Sequence, residues 1–297
     1  MNAAIIGTSK IAQIHLREFC KKKINKIFIV TRYVKKSEKM IAKFDKIKNN
    51  ITPISLNSLS SLNCKYYSIC SPTKIHDNQI EILKKKINSI IIVEKPFISF
   101  LKFKKKFKKK LNELKSFNLS IYVNYPMYHL ADSFIKKFKF KDKIKTLNVY
   151  YQTSGKNTYN EIAEDLLPHA LAFLYRFIKK DINKLNFKNH KISISKNNWN
   201  CKIKFNKLNF NIYFKQDPNK KKSKFYFEIN KKKFIRILKK FDGNMLNYIK
   251  YKRSLNFIEN PMNVSLKLAL NCHKITKPLL TNKKINNFVN NITLKIL

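Results

Sequence analysis

Three side chains of this sequence could transfer protons at a hydroxyl or carbonyl group. Lys95 follows the apolar run 90–93 and precedes Pro96, and because proline disfavours helical backbone at the preceding residue, we expect this amine to end a strand. Asp165 and His169 are four residues apart and share one face if their segment is helical. A histidine is suited to accept a hydroxyl proton near neutral pH. Lys95, Asp165 and His169 are therefore the catalytic candidates.

The elements that must position these residues fall into two groups. Short apolar runs alternate with helical patterns up to residue 123, which is typical of βαβ units. From residue 124 onwards strand-like runs follow one another, and helices are expected at 161–179 and 261–279. This pattern predicts an α+β second domain with an open, mostly antiparallel sheet. We expect two domains, 1–123 and 124–297, and Pro168 in a first helical turn, where its missing N–H costs little.

The first strand runs into a turn that has the shape of a dinucleotide fingerprint, with Ser9 where the second glycine usually stands. An α/β domain that begins this way is a Rossmann fold, and the cofactor-binding candidates here are Gly7, Thr8, Ser9, Lys10 and Ile11. Because that glycine allows close approach of the backbone to the pyrophosphate, Ser9 must either tilt the phosphates or bind them through its hydroxyl. A plain βα turn is the alternative interpretation.

The second strand ends in Thr31 and Arg32, where an NAD-specific fold usually offers an acidic residue to the ribose. The Arg32 guanidinium could pair with a 2′-phosphate and stack on adenine. NADP is therefore favoured over NAD as the cofactor. An ordinary surface arginine is the alternative.

The ordered motifs of the chain resemble those of the glucose-fructose oxidoreductase and inositol dehydrogenase family (Gfo/Idh/MocA) up to about residue 178. The matching motifs are the turn Gly7–Ala12 followed by His15, then Ser71-Pro72-Thr73-x-x-His76, Glu94-Lys95-Pro96 and Asp165-x-x-x-His169. This resemblance implies a Rossmann domain, an open-sheet second domain, a sugar-like small-molecule substrate and possible homo-oligomers. It also implies that Ser71, Pro72, Thr73, His76, Glu94 and Lys95 contact the cofactor, while Lys95, Asp165 and His169 form the catalytic site.

Several positions depart from the family pattern. Members often have glycine two residues before the histidine and aspartate three residues after it, where this chain has Leu167 and Ala172. Tyr128 stands where an arginine is common, so substrate orientation here is expected to be unusual. His129 is a further polar candidate, although a surface histidine is the favoured interpretation. If the other motifs were absent, the preferred interpretation would be that Asp165 is a helix N-cap and His169 is a core histidine.

The net charge of +47 first suggests a polyanion or nucleic-acid binder. Arginine, the side chain best suited to phosphate and guanine, supplies only five of the 64 basic residues. Lys, Asn, Ile, Phe and Tyr have AT-rich codons, so genome bias is the preferred explanation and no specific nucleic-acid partner is expected. The first hypothesis, which the family resemblance implies, is an NAD(P)-dependent oxidoreductase that transfers a hydride between nicotinamide and a sugar-like secondary alcohol or ketone, or an imine. A catalytically inactive cofactor-binding sensor or scaffold is the second hypothesis, and a polyanion or nucleic-acid binder the third.

Cysteine usage and hydropathy indicate a cytoplasmic protein. Five cysteines without a Cys-x-x-Cys pair read as reduced thiols, and no metal site is expected. No apolar run approaches the roughly 18 residues that cross a bilayer, so no membrane association is expected.

Overall fold

The computed structural model of the protein describes residues 1–44, 50–179, 181–220, 223–241, 244–272 and 277–297. The chain divides into two compact units. Unit 1 comprises Met1–Asn124 and Ser265–Asn286, and unit 2 comprises Tyr125–Val264 and Asn287–Leu297. The sequence placed the whole of 124–297 in one domain, whereas this division returns a late segment to unit 1.

Unit 1 is built on a parallel sheet of six strands in the order β3-β2-β1-β4-β5-β6. The strands are β1 (Asn2–Ile6), β2 (Lys26–Thr31), β3 (Ile51–Ser55), β4 (Tyr66–Ile69), β5 (Ile90–Glu94) and β6 (Ser120–Asn124). β4 and β5 are buried along their whole length, as expected for strands covered on both faces. The order reverses between β1 and β4, and ligands of open α/β sheets bind beyond the carboxyl ends of strands at such a point.

Helices of unit 1 follow the apolar periodicity of the sequence. They are α1 (Lys10–Cys20), α2 (Val34–Ile41), α3 (His76–Ile82), α4 (Phe100–Phe103) and α5 (Phe107–Ser116). Apolar residues near one helical face predict a single helix over 101–117, and the structure divides it by a short 3₁₀ segment, Lys104–Lys106. Lys108, Lys109 and Lys115 of α5 are exposed while Phe107, Leu111 and Leu114 are buried, so this charge run is mostly the solvated face of an amphipathic helix.

The late segment of unit 1 is held to the sheet by specific hydrogen bonds. The Tyr66 hydroxyl donates to the carbonyl of Leu270 at 2.7 Å. Asn282 accepts from the backbone N–H of Val123 at 2.8 Å and donates to its carbonyl at 2.6 Å. This side chain therefore satisfies the backbone groups of an edge strand, which a sequence pattern cannot reveal.

Unit 2 contains an eight-stranded sheet in the order β14-β13-β12-β11-β7-β10-β9-β8, in which only β7 and β10 pair in parallel. Its strands are β7 (Thr146–Thr153), β8 (Phe187–Ser195), β9 (Asn198–Phe205), β10 (Asn209–Gln216), β11 (Lys224–Ile229), β12 (Lys232–Phe241), β13 (Asn244–Tyr251) and β14 (Ser254–Ile258). The Rossmann-plus-open-sheet fold expected from the sequence is confirmed. β3, β13 and β14 were not predicted.

One face of this sheet is covered by α6 (Pro126–Lys137) and α7 (Asn160–Ile178). Phe134 of α6 packs edge-on against Phe227 and Phe234 of the sheet, with ring centroids 5.0 and 4.7 Å apart. Phe173 of α7 packs on Phe227 at 4.8 Å. Aromatic side chains thus make up the core of unit 2.

The opposite sheet face carries a tyrosine stack. Tyr150 lies between Tyr213 and Tyr226, with nearly parallel rings 4.5 and 4.2 Å away. Burial among these rings, together with Glu228 and Tyr213, raises the pKa of Tyr150 to about 12.

The remaining helices are α8 (Pro261–Leu270) and α9 (Lys277–Ile296). The sequence predicted one helix over 261–279, of which 273–276 lie outside the described residues. Among the described helices, none has both the length and the apolar character needed to cross a bilayer.

Candidate active site

The turn between β1 and α1 brings three sheet strands together. The N–H of Gly7 donates to the carbonyl of Val30 at 2.9 Å. Gly7 has a φ of +116°, and a methyl group added there would lie 3.0 Å from the carbonyl carbon and oxygen of Cys70. Both facts require glycine, because an L side chain is strained at this φ and the backbone of Cys70 has no room to yield.

Ser9 begins α1 and uses its hydroxyl within the protein. It accepts from the N–H of Ala12 at 3.3 Å and donates to the carbonyl of Cys70 at 3.1 Å. The sequence expected this hydroxyl to bind or tilt the phosphates, and the structure instead shows it as a helix cap. The N–H groups of Lys10 and Ile11 still point out of the helix N-terminus, where anions bind favourably.

The loop after β4 meets the loop after β5 at His76. This buried imidazole has Nε2 at 2.9 Å from the carbonyl of Ser71 and Nδ1 at 3.1 Å from the carbonyl of Pro96. Burial lowers the pKa of His76. His76 therefore lies between the Pro72-Thr73 loop and the Glu-Lys-Pro loop, and the single N–H of its neutral form can donate to one of the two carbonyls.

Glu94 ends β5 inside a buried polar cluster. Its Oε1 accepts from His15 Nε2 at 2.8 Å and from Asn124 Nδ2 at 2.5 Å. The Nδ1 of His15 lies 2.6 Å from the Ser68 hydroxyl. Burial alone would lower the pKa of His15, but Cys70 and Glu94 raise it to about 10. The cluster is thus an imidazolium and carboxylate pair directly before Lys95, which is joined to Pro96 by a cis peptide bond.

Thr31 and Arg32 lie at the end of β2. The Thr31 hydroxyl donates to the carbonyl of Tyr33 at 2.8 Å and is buried. Arg32 is exposed. The exposed guanidinium of Arg32 is therefore accessible beyond the carboxyl end of β2, whereas the Thr31 hydroxyl is hydrogen-bonded within the protein.

The helix α7 presents Asp165 and His169 on one side. In the stretch 162–175, which the structure describes completely, these two residues are partly exposed and all the others are buried. Asp165 and His169 are therefore the accessible residues of this stretch, whereas a pair of core residues would be buried like the rest of it. The expectation that Pro168 lies in a first turn is wrong, because it lies inside the helix, where its ring removes the N–H that would bond to Glu164.

Two residues that the sequence analysis missed adjoin this pair. Gln216, at the end of β10, donates to Asp165 Oδ2 at 3.2 Å and accepts from the N–H of Asn157 at 2.8 Å. The ring of Tyr151 lies edge-on to His169 with centroids 5.8 Å apart. Nothing in the local sequence distinguishes these two residues from other polar strand residues, because their role depends on strand register.

The positions that depart from the family pattern are structural in this chain. Leu167 and Ala172 are completely buried in α7. Tyr128 packs against Tyr175 at 6.2 Å. His129 is buried rather than at the surface, and burial lowers its pKa to about 4. It is therefore neutral at physiological pH.

A cavity of about 760 Å³ lies elsewhere in unit 2, around Phe140, Phe177 and Leu208 near the C-terminal end of α7. Neither Asp165 nor His169 lines it. The part of the chain that the structure describes holds no group of three or more His, Cys, Asp or Glu side chains arranged as metal ligands.

Comparisons with known proteins agree with this architecture. Residues 1–119 match the family model described as an oxidoreductase family with an NAD-binding Rossmann fold. The resemblance of residues 1–119 to the glucose-fructose oxidoreductase and inositol dehydrogenase family is therefore confirmed. No curated protein sequence matches the chain.

Solved structures share the fold over nearly the whole chain. A dehydrogenase (MviM) from Clostridium difficile is 14% identical, with a TM-score of 0.62 and coverage of 98% of this chain and 99% of that one. UDP-N-acetylglucosamine 3-dehydrogenase GnnA from Acidithiobacillus ferrooxidans is 11% identical, with a TM-score of 0.66 and coverage of 100% and 97%. The 3-ketoreductase KijD10 from Actinomadura kijaniata, solved with TDP-benzene and NADP, is 10% identical, with a TM-score of 0.67 and coverage of 98% and 96%.

Proposed function

We propose that this protein is an NAD(P)-dependent oxidoreductase that transfers a hydride between the nicotinamide and a sugar-like secondary alcohol or ketone, or an imine. The observation that carries the proposal is the exposure of Asp165 and His169 on an otherwise buried stretch of α7. The Rossmann family match and the sugar-nucleotide dehydrogenase among the structural neighbours support it. Its location is proposed to be cytoplasmic, in keeping with the free thiols.

Each catalytic residue has a proposed role. His169 accepts the hydroxyl proton of the substrate and returns it in the reverse direction. Asp165, held by Gln216 at 3.2 Å, orients the substrate hydroxyl and stabilises positive charge on His169. Lys95 donates a hydrogen bond to the substrate oxygen as negative charge develops there. A bound nicotinamide would supply or accept the hydride.

The backbone N–H groups of Lys10 and Ile11, in the first turn of α1, would bind the pyrophosphate. Arg32 would bind the 2′-phosphate, which only NADP carries, so we propose NADP rather than NAD as the cofactor. The residues Gly7, Thr8, Ser9, Thr31, Ser71, Pro72, Thr73 and Glu94 would surround the cofactor, with His76 between two of their loops.

Titration of the purified protein with NADPH and NADH, followed by a panel of sugars and nucleotide sugars, tests the proposal. NADPH should quench fluorescence at a lower concentration than NADH, and Arg32→Ala should remove that preference. Comparable affinity of the wild type for both cofactors would contradict the assignment of Arg32.

Replacement of Lys95 by Ala should lower kcat by at least about a hundredfold while leaving NADPH binding intact. His169→Gln should act similarly, and Lys109→Ala, at an exposed position of α5, is the matched control. If Lys95→Ala leaves the biological effect unchanged, the sensor or scaffold hypothesis is favoured. Specific nucleic-acid binding at physiological salt would favour the polyanion hypothesis instead.

The open face of the unit 2 sheet is proposed to bind a second copy of the chain. Beside the tyrosine stack, this face exposes 38% of Ile235, 41% of Leu255 and 52% of Phe257, and an exposed apolar patch of this kind marks an interaction surface. Light scattering should show a dimer that Phe257→Lys weakens. A wild-type monomer at all concentrations would contradict this assignment.

A further inference from the structure

Arginine is rare in this chain, and one mostly buried arginine pairs with no carboxylate among the residues that the structure describes. Only five of the 64 basic residues are arginine. Arg176 forms an ion pair with Asp132 at 2.6 Å, and Arg17 lies over the ring of Phe44 at 5.6 Å. Arg236 of β12 is mostly buried, yet among the described residues no carboxylate pairs with it.

The guanidinium of Arg236 is held by a neutral side chain. Its Nε and Nη2 both donate to Asn247 Oδ1, at 3.1 and 2.5 Å. A guanidinium has five N–H donors, so three remain for another acceptor. Burial lowers the pKa of Arg236, and a buried cation without an opposite charge costs several kcal/mol. An incoming anion would offset that cost.

Strand register places Arg236 on the helix-covered face of the sheet, level with the candidate catalytic pair. Arg236 is directly opposite Phe225, and Phe225 is directly opposite Tyr151. Two strand spacings, roughly 10 Å, therefore separate the backbones of Arg236 and Tyr151. The Tyr151 ring is the one that packs on His169.

The same face opens to solvent just beyond Arg236. Leu238, two residues further along β12, is 42% exposed. Towards the other end of this strand, Phe234 is buried in the aromatic core. Arg236 thus stands between the buried aromatic side chains and the more exposed end of β12.

We propose that Arg236 binds an anionic group, a carboxylate or a phosphate, on the substrate whose hydroxyl is handled by Asp165 and His169. A guanidinium binds either anion through two parallel hydrogen bonds. An arginine side chain and a monosaccharide are together long enough to bridge the two strand spacings between Arg236 and Tyr151. The assignment of this anion to a substrate rests on the proposed function, whereas the binding itself does not.

Calorimetric titration of the cofactor-free protein with D-glucuronate, D-glucose 6-phosphate and D-glucose at 0.15 M KCl tests the proposal. At this salt concentration the overall positive charge is screened. At least one anion should bind about ten- to a hundredfold more tightly than glucose, which corresponds to a charged hydrogen bond. Tighter binding of glucuronate identifies a carboxylate site, and tighter binding of the phosphate identifies a phosphate site.

Three variants complete the experiment. Arg236→Met should abolish the preference for the anion, and Arg236→Lys should retain part of it, since the charge remains but the planar fork is lost. Arg253→Met, at an exposed turn of the same unit, should bind like the wild type. If Arg236→Met does not fold, the preference of Arg236→Lys for the anion over glucose tests the proposal by itself.

Two results would overturn the proposal: a wild type that prefers neither anion to glucose, or Arg236 variants that bind the preferred anion as the wild type does. Failure of the proposed function would look different. Arginine-dependent anion binding would then persist in a protein that neither quenches with NADPH nor turns over any sugar.

Discussion

Units 1 and 2 each bury a cation, and they compensate it differently. In unit 1 the imidazolium of His15 meets the carboxylate of Glu94 at 2.8 Å. In unit 2 the guanidinium of Arg236 donates to the amide oxygen of Asn247, and among the residues that the structure describes no carboxylate pairs with it. Removing one partner of a buried ion pair is strongly destabilising, whereas the anion that we propose for Arg236 would come from a ligand.

The largest effect is expected from breaking the compensated pair. His15→Ala should lower the free energy of unfolding by about 3–5 kcal/mol, because it leaves the Glu94 carboxylate buried without its cation. Urea unfolding measures this change. His190→Ala, at a partly exposed position of β8, should cost no more than about 1 kcal/mol. Equal costs for the two variants would show that the pair does not stabilise unit 1.

The same pair predicts how stability depends on pH. The pKa of His15 is about 10 in the folded protein and about 6.5 when unfolded. The folded state therefore binds more protons between these values, so this contribution is complete below pH 6.5 and is lost as pH rises through 10. Urea unfolding of the wild type and His15→Gln across this range should show the difference between them shrinking. A constant difference would contradict a charged His15.

Substitution of one glycine in each unit compares the two units through smaller changes in the free energy of unfolding. Gly7→Ala should cost about 1–3 kcal/mol and abolish NADPH binding, because the methyl group meets backbone and φ is positive. A methyl group at Gly155 would meet the end of the Gln216 side chain, 2.2 Å from its Oε1. That flexible end moves away, so Gly155→Ala should change Tm by only a few degrees.

Displacement of Gln216 has a functional consequence even where stability is preserved. Gln216 would no longer hold Asp165, so Gly155→Ala should lower kcat several-fold with NADPH affinity unchanged. Thermal unfolding and steady-state kinetics separate the two effects. A loss of NADPH binding in this variant would contradict the prediction that Gly155→Ala acts through the contact between Gln216 and Asp165.

Sequence reasoning succeeded where the signal is local. The Rossmann domain, the open sheet and the helix that carries Asp165 and His169 follow from apolar periodicity, from proline and glycine positions and from motif order. Boundaries agreed within a few residues for α7, expected at 161–179 and observed at Asn160–Ile178. The strand β13 was not predicted, because its alternation of Leu246, Tyr248 and Lys250 gives no consistent apolar face.

The pairing of distant residues could not be predicted in this way. His15 and Glu94 are 79 residues apart, and Gln216 and Asp165 are 51 apart. Each of these contacts joins a helix to a strand that is distant in sequence, and a shift of one residue in that strand would turn its side chain to the other face.

The sequence by itself determined which side chains are available for chemistry and on which elements they lie, because propensity and periodicity act over a few residues. Only the tertiary structure decided which charges are neutralised inside the protein and which are not. Within the described part of the chain, His15 has a carboxylate partner, whereas Arg236 has an amide oxygen. That difference arises from burial and strand register, which are properties of the folded chain as a whole.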